Sequence, residues 1–367
     1  MNQYLSKKIK YISFFAMIGV VFCHAYNYIN RFLQPTTVLA EGPNPGTMLQ
    51  FFISNGLVRF GVPIFFAFSG YLFFVSFEFS WKGYLTKVLK RIRTLVLPYF
   101  IWTALAGGLL YWVYLEGGLY KYSIVYERVG IVLLNGVQEW ILNSPAFQLW
   151  YILDLFKLVL ISPLIYFLVK KCKVIPVIVF TVLWALEISF VINCEGLLFF
   201  TLGSYLAVNK IKLPGMESLE NEIHKTKYKN ITTLFTVLWV AGCFFYSLMS
   251  GTLGNTPYIS YILWALYKVN VITGLIAVWR LYDVTCGKWQ DKKPVKAAVA
   301  STVFVYFAHE PLLHLLTDVL LNKWKFNGEH TLAYFMLSLG LIVIFILVGT
   351  LLRKICPKVY AFLTGGR

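Results

Sequence analysis

His24 lies within the first apolar segment of the chain, which begins near Tyr11. Ionisable side chains at membrane depth are energetically costly, so they are rare and usually functional. An imidazole is also the side chain best suited to transfer protons near neutral pH. Because no acidic residue lies within one helical turn of His24, a local ion pair does not explain it. We therefore expect His24 to be at the centre of any chemistry.

Further ionisable residues fall inside apolar segments, where a lipid-facing position is implausible. They are Arg59, Asp154, Lys157, Glu187, Glu195, Lys268, His309, Glu310, His314 and Asp318. We expect this set to line an interior cavity. Structural explanations stay open for some members. Asp154 and Lys157 are three residues apart, a spacing that favours an ion pair. Arg59 or Lys268 could neutralise a buried acid, and His309 could hold a hydrogen bond within the bundle.

The composition is that of a membrane protein. Hydrophobic residues make up 59% of the 367 residues, mean hydropathy is +0.69, and only 13% of residues are charged, roughly half the share in soluble proteins. The pattern predicts an all-α integral membrane protein, a single domain over 1–367 built as a bundle of about ten transmembrane helices. The predicted spans lie near 11–29, 50–77, 95–115, 147–169, 174–193, 195–209, 231–250, 258–280, 297–321 and 332–352.

The six cysteines stand singly, so neither a metal site nor a disulfide framework is expected. The first apolar run is not followed by a small-residue cleavage site, and we expect it to be an uncleaved span.

The net charge of +17 is unevenly distributed between the two sets of loops. With the N-terminus inside, 25 of the 33 lysines and arginines fall on one side and five on the other. The five are Arg31, Lys121, Arg128, Lys323 and Lys325. This bias follows the positive-inside rule and predicts that both termini are cytoplasmic in the cell membrane. The positive charge is therefore explained by topology and does not indicate a nucleic-acid partner.

Three loops are long enough to contribute structure of their own. The outer segments 30–49 and 116–146 carry polar and aromatic residues and are either lids over an outward-facing site or plain connectors. The cytoplasmic segment 210–230 contains several lysines and glutamates and is predicted to be a short solvated helix.

Five blocks of sequence occur in a characteristic order along the chain. They are His24 at the end of the first span, Arg59-Phe-Gly-Val-Pro63-Ile-Phe-Phe-Ala-Phe-Ser69-Gly70-Tyr71, Lys90-Arg91-Ile-Arg93-Thr-Leu-Val-Leu-Pro98-Tyr99, Leu149-Trp150-Tyr151, and Tyr306-Phe-Ala-His309-Glu-Pro311. Together these blocks resemble the membrane acyltransferase-3 family, which acylates cell-surface sugars and related acceptors. The likeness extends over nearly the whole chain.

The resemblance implies an integral membrane enzyme that takes an acyl group, most simply acetyl, from cytoplasmic acyl-CoA. The group is transferred to a hydroxyl of a cell-surface saccharide or glycolipid, and acyl-CoA is a donor substrate, so no permanently bound cofactor is expected. His24 is then the central catalytic residue. Family members often carry arginine eleven residues before this histidine, where this chain has Ser13. Either Lys10 replaces that cation or this subfamily manages without it.

Acyl transfer to an alcohol needs a base or a nucleophile, and donors for the oxyanion that forms. His24 suits the first role as general base or as acyl carrier. Arg59, Ser69 and Tyr71 are the candidate donors on the second span, and His309 is expected to position the acceptor or the thioester. Ser69 and Tyr71 also flank Gly70, a position at which a thin pantetheine arm or another backbone can approach closely.

Lys87, Lys90, Arg91 and Arg93 form a cytoplasmic cationic cluster that could bind the phosphates of CoA. Enforcing topology is an equal explanation for this cluster.

The main rival function is transport or flipping of a lipid-linked saccharide, since buried charges suit proton-coupled transport equally well. Matching halves with interrupted spans, which many transporters show, are not evident in the sequence. A sensor without turnover is a third class.

Overall fold

The computed structural model describes residues 3–25, 45–77, 79–188, 190–211, 213, 221–253, 257–285, 288–324 and 331–366. These residues form helices and short connections and contain no β-strand. The predicted all-α class is therefore confirmed for the described part of the chain. The outer segment 30–49 is described only from Pro45 onward, and Arg31 and Lys325 lie outside the described residues, as does most of 212–220.

The helices are numbered in chain order. Those before residue 172 are α1 Gln3–Ala25, α2 Pro45–Phe51, α3 Gly61–Phe74, α4 Trp81–Arg91, α5 Leu97–Gly117, α6 Ser123–Asn135, α7 Gln138–Leu142, α8 Trp150–Leu160 and α9 Ser162–Lys171. Those after it are α10 Ile175–Ala185, α11 Cys194–Val208, α12 Glu222–Leu253, α13 Pro257–Thr285, α14 Lys293–Ala300, α15 Thr302–Ala308, α16 Leu312–Trp324, α17 Thr331–Ile355 and α18 Pro357–Thr364. Wider π-helical turns at Phe52–Leu57 and Ile92–Val96 join α2 toward α3 and α4 to α5.

Six helical stretches among the described residues are long and apolar enough to cross a membrane. They are Gln3–Ala25, Pro45–Phe74, Trp81–Gly117, Glu222–Gly251, Tyr258–Thr285 and Thr331–Ile355. Two bent pairs raise the number to eight if each pair is one span. The bends are 61° between Phe147–Leu160 and α9, and 54° between α15 and the helix that follows it.

The fifth and sixth predicted spans are short in the structure. α10 has 11 residues and α11 has 15, so they extend about 17 Å and 22 Å, less than the roughly 30 Å of a hydrocarbon core. The multi-pass helical architecture is confirmed, whereas ten separate crossings remain a prediction.

Proline explains why two predicted spans are bent rather than continuous. Pro163 lies in the first turn of α9, and Pro311 lies between α15 and α16. Proline has no N–H to donate and clashes with the preceding helical turn, so a straight helix ends before it. The break before Pro311 places His309 at the end of α15, inside the bundle.

Helices α1, α3 and α11 form the centre of the bundle. α1 packs against α3, α15, α16 and α17, and α3 packs along α11. A Cβ atom built on Gly70 would lie 2.1 Å from the carbonyl oxygen of Phe200, and one on Gly203 would lie 1.9 Å from that of Ala67. Only glycine therefore fits at this crossing, as at many close-packed membrane helix pairs. The expected close approach at Gly70 is made by the backbone of α11.

The connecting segments are more ordered than the sequence suggested. The outer segment 116–146 contains α6 and α7, and the cytoplasmic segment 210–230 runs into α12, which begins at Glu222 and continues directly into the span. The predicted solvated helix is therefore present from Glu222, where most residues are exposed, but it is continuous with the span instead of ending before it.

Candidate active site

His24 and His309 are hydrogen-bonded to each other at the end of α1. His24 Nδ1 lies 2.9 Å from His309 Nε2, and His309 Nδ1 lies 3.1 Å from the carbonyl oxygen of Val305. A carbonyl oxygen only accepts hydrogen bonds, so a neutral His309 carries its proton on Nδ1 and accepts on Nε2. The proton between the two rings is therefore on His24 Nδ1. This order leaves Nε2 of His24 as the nitrogen with an available lone pair.

Phe147 and Gln148 hold the pair from the side of α8. The Phe147 ring lies on the His24 ring with a centroid separation of 4.4 Å. Gln148 donates from Nε2 to the carbonyl oxygen of Phe307 at 3.1 Å, and the Tyr306 hydroxyl donates to the carbonyl oxygen of Gln148 at 2.7 Å. These bonds fix the end of α15, and with it His309, against the turn that precedes α8.

A cavity of about 190 Å³ lies between α1, α3, α8 and α15. Ser13 and Met17 line it from α1, and Met17 lies two helical turns before His24. Ser69 and Tyr151 also line it, with their hydroxyl oxygens 3.1 Å apart. Tyr306, one turn before His309, completes the wall nearest the histidine pair. The cavity thus leads from the N-terminal part of α1 toward the site.

Ser13, at the position where the family resemblance led us to look for an arginine, lines this cavity. Lys10, considered above as a replacement for that cation, is exposed. At this position the cavity wall therefore carries the small hydroxyl group of Ser13.

Arg59 lies between the π-helical turn and α3. Its guanidinium donates to Oδ1 of the buried Asn55. Its positive charge is close enough to interact electrostatically with the His24 ring and with the Glu195 carboxyl group. The structure therefore brings together His24, His309 and Arg59, the three residues predicted to be catalytic.

Tyr71 lies apart from this group. It lines a second, almost wholly apolar cavity of about 290 Å³ between α3, α11 and α13, together with Trp279 and Arg280. Ser69 and Tyr71 are two residues apart on one helix, so their side chains leave it in opposite directions. Of these two predicted donors, Ser69 is the one that faces the cavity below the histidine pair.

The predicted cationic cluster divides into three environments. Lys87 donates to the carbonyl oxygen of Phe73, and its ammonium lies 4.4 Å from the ring centroid of Phe77. Lys90 and Arg93 are exposed. Arg91 is half-buried, and its charge interacts with Tyr151, which lines the cavity. Arg91 is thus the member of the cluster directed toward the candidate donor path.

Four of the ionisable residues predicted at membrane depth form two ion pairs. Lys157 Nζ lies 2.8 Å from Asp154 Oδ1, which confirms the predicted pair on α8. Lys268 Nζ lies 3.1 Å from Glu187 Oε1 and 4.3 Å from the centroid of the Trp184 ring. Lys268 therefore neutralises an acid, one of the structural explanations left open by the sequence.

Sequence reasoning missed a buried network at the other end of α1. Lys8 Nζ lies 2.7 Å from both carboxylate oxygens of Asp283, and the two side chains are 1% and 0% exposed. The hydroxyls of Tyr4 and Tyr228 also donate to this carboxylate, at 2.5 Å and 2.6 Å. Lys8 was counted with the lysines that set topology, because its buried partner is 275 residues away.

The fold is that of a multi-pass helical membrane protein whose interior holds a hydrogen-bonded pair of imidazoles above a narrow cavity. This is a suitable site for transferring a group with a proton. Residues 7–352 match the family model described as the acyltransferase domain, so the chain belongs to this family and is a membrane acyltransferase.

A curated relative is the succinoglycan biosynthesis protein ExoH of Rhizobium meliloti (strain 1021). It is 24% identical over 381 residues, an alignment that covers 100% of this chain and 94% of the relative. No solved structure matches the chain. The family assignment confirms the resemblance inferred from the sequence blocks.

Proposed function

We propose that this protein transfers an acyl group, most simply acetyl, from cytoplasmic acyl-CoA to a hydroxyl of a cell-surface saccharide or glycolipid. Membership of the acyltransferase family supports the reaction class. The name of the relative, a succinoglycan biosynthesis protein, supports a saccharide acceptor. The buried site beside a cavity supports a reaction carried out within the membrane bundle.

The observation that carries the proposal is the hydrogen-bonded chain from His24 through His309 to the Val305 carbonyl. It holds His24 in the tautomer whose Nε2 accepts a proton or attacks a carbonyl carbon. When Nε2 gains a proton, the Nδ1–H of the resulting imidazolium still donates to His309, so the charged state keeps its partner. His309 therefore positions His24 in the way that the acidic member of a catalytic triad positions its histidine.

Two routes are consistent with this arrangement. In direct transfer, His24 Nε2 takes the proton of the acceptor hydroxyl while its oxygen attacks the thioester carbonyl. The carbon–sulfur bond then breaks, and the CoA thiolate takes the proton from the imidazolium. In the second route, Nε2 attacks the thioester first and CoA leaves. The acceptor hydroxyl then attacks the acyl-imidazole, the bond between the acyl carbon and Nε2 breaks, and the hydroxyl proton passes to the CoA thiolate. Both routes give one ester and one CoA thiol.

The donor is proposed to reach His24 through the cavity lined by Ser13, Ser69 and Tyr151. Arg91 lies near Tyr151 and can bind a phosphate of CoA, while the thin pantetheine arm occupies the cavity. The oxyanion that forms at the thioester carbonyl oxygen needs hydrogen-bond donors, and Arg59, whose charge acts on His24, is the proposed one.

Purified protein in detergent, supplied with acetyl-CoA labelled in its acetyl group, tests the proposal. The acceptor is the surface saccharide fraction, lipid-linked and polymeric, extracted from a strain that lacks the protein and is therefore unmodified. We expect label on the saccharide together with an equal amount of free CoA thiol. Unchanged acetyl-CoA, with proteoliposomes that nevertheless accumulate a glycolipid, would replace the proposal with a transport function.

A further inference from the structure

Helix α6 of the outer segment is fixed against the end of the bundle that holds His24. The backbone N–H of Ile124 donates to Asp318 Oδ2 on α16 at 3.2 Å. The Trp140 indole donates to the carbonyl oxygen of Arg128 at 2.9 Å. Ile124, Val125 and Val129 are buried against α5 and α16. These contacts define which face of α6 points inward.

Arg128 lies on this inward face, one turn after Ile124 and Val125. Its guanidinium carbon lies 5.8 Å from the centroid of the Phe147 ring. The same ring lies 4.4 Å from the His24 ring. Phe147 is thus in contact with the catalytic candidate and with a cation brought in by the outer segment.

Glu310 brings a carboxylate near Arg128. It directly follows His309, is 1% exposed, and interacts electrostatically with Arg128. Burial lowers the pKa of Arg128, and the carboxylates of Glu127 and Glu310 counteract this effect. A half-buried guanidinium, a buried carboxylate and an aromatic ring are therefore grouped next to the histidine pair, and none of the three residues lines the cavity that runs toward Ser13.

We propose that Arg128, Phe147 and Glu310 form the subsite that binds the acceptor sugar ring, with its reacting hydroxyl toward His24. The chemistry fits a neutral sugar: a guanidinium donates to ring hydroxyls and a carboxylate accepts from them. An aromatic ring covers the apolar C–H face of the sugar. The inference rests on the proposed function and assigns the acceptor to the face of the site opposite the donor cavity.

Steady-state kinetics of Arg128→Gln and Arg128→Lys test this subsite. The acceptor is again the surface saccharide from a strain lacking the protein, and acetyl-CoA is the donor. Lys121→Gln is the matched control, because Lys121 is an exposed cation of the same outer segment. Varying acetyl-CoA at saturating saccharide reports the donor side of the reaction separately, and thermal unfolding reports whether each variant is folded.

For Arg128→Gln we expect the KM for saccharide to rise by about tenfold or more, since hydrogen bonds to a charged group contribute roughly 1.5–3 kcal/mol. The KM for acetyl-CoA and the control should stay at wild-type values, and Arg128→Lys should fall between. The subsite is wrong, while the proposed function stands, if the KM for saccharide is unchanged. The same conclusion follows if the KM values for saccharide and acetyl-CoA rise equally, or if both Arg128 variants fail to fold. If wild-type protein transfers no acetyl group to saccharide, the proposed function fails, and the subsite fails with it.

Discussion

The hydrogen bond between His24 and His309 joins residues 285 positions apart and determines which nitrogen of His24 is available for chemistry. A neutral imidazole alone would exchange between two tautomers. Here the Val305 carbonyl sets the proton position on His309, and His309 sets it on His24. We therefore assign His309 a positioning role at the site, with His24 as the group that meets the substrates.

Replacing His309 tests this assignment. His309→Ala removes the acceptor for His24 Nδ1, so kcat should fall by about 10- to 100-fold, in the range found when partners that orient a functional histidine are lost. The KM for acetyl-CoA should change little. His309→Gln, which can supply an amide oxygen as acceptor, should recover part of the lost kcat. A wild-type kcat in His309→Ala, or a raised KM as the only effect, would contradict the positioning role.

The individual site residues could be predicted from the sequence to an uneven degree. His24 and His309 stood out because an imidazole in an apolar segment has a high energetic cost. Their pairing, and the proton order that follows from it, depend on how α1 and α15 pack. Arg128 was classed as an outer-loop cation, because α6 and its inward face are set by tertiary contacts with α5 and α16. Tyr306 and Tyr151 stood within the quoted blocks but had no assigned role.

At the scale of elements, α4 and the π-helical turn after it determine how the cationic cluster is presented. Ser80 caps α4 by accepting a hydrogen bond from the Gly83 N–H at 3.1 Å. Trp81, Leu85 and Leu89 then form an exposed apolar stripe at a spacing of four residues. Such a stripe is typical of a helix that lies along a membrane surface.

Arg91 and Arg93 lie at the end of this helix in different environments, so they should differ in function. Arg91→Gln is expected to raise the KM for acetyl-CoA by about tenfold, because a charged phosphate contact is lost. Arg93→Gln, at an exposed position, serves as the matched control and should have a much smaller effect. If both variants had the KM of the wild type for acetyl-CoA, the cluster would serve only to set the orientation in the membrane.

The network around Asp283 connects α1 to α12 and α13, and it should matter for stability. Asp283→Ala leaves the Lys8 ammonium buried beside the Trp279 ring without its carboxylate. Breaking a buried pair in this way typically costs about 3–5 kcal/mol, so the midpoint of thermal unfolding in detergent should fall markedly. The double variant Lys8→Met with Asp283→Leu should recover much of that loss.

Lys7 offers the matched control for this network. It pairs with Asp291 at 2.8 Å, and the two side chains are 32% and 55% exposed, against 1% and 0% for Lys8 and Asp283. Exposed pairs contribute little to stability, so Lys7→Gln should leave the unfolding midpoint nearly unchanged. If Asp283→Ala and Lys7→Gln behaved alike, burial of the Lys8 pair would not have the energetic role assigned to it.

At the scale of the whole molecule, the proposed reaction requires a defined orientation in the membrane. Donor and acceptor are proposed to meet at His24 from opposite sides, so the cavity must open to the cytoplasm and α6 must lie outside. The distribution of lysines and arginines predicts this orientation with both termini cytoplasmic.

The natural cysteines provide a test of orientation. Cys172 and Cys356 are exposed near helix ends that are predicted to be cytoplasmic. A membrane-impermeant maleimide should leave both unlabelled in sealed right-side-out vesicles and label them after permeabilisation. A Lys121→Cys variant lacking these two cysteines should be labelled without permeabilisation. Labelling of Cys356 in sealed vesicles would contradict the predicted topology.

The overall architecture could be predicted further than the details of its spans. Composition and hydropathy were sufficient for an all-helical membrane bundle, because lipid requires backbone groups to be paired within helices. The bends in the fourth and ninth predicted spans and the short α10 were not foreseen, whereas α11 matches the short predicted segment 195–209. A hydropathy window averages over a break of a few residues, and whether a proline bends a helix depends on the neighbours that support the bend.

The catalytic role of His24 is the central claim, and the transfer rate of His24→Ala tests it most directly. With labelled acetyl-CoA and the unmodified saccharide, we expect the rate to fall by at least about 100-fold, the lower range for loss of a general base. The unfolding midpoint should match the wild type. His224→Ala, at an exposed position in α12, should keep full activity. A folded His24→Ala protein that transfers label at the wild-type rate would contradict the account.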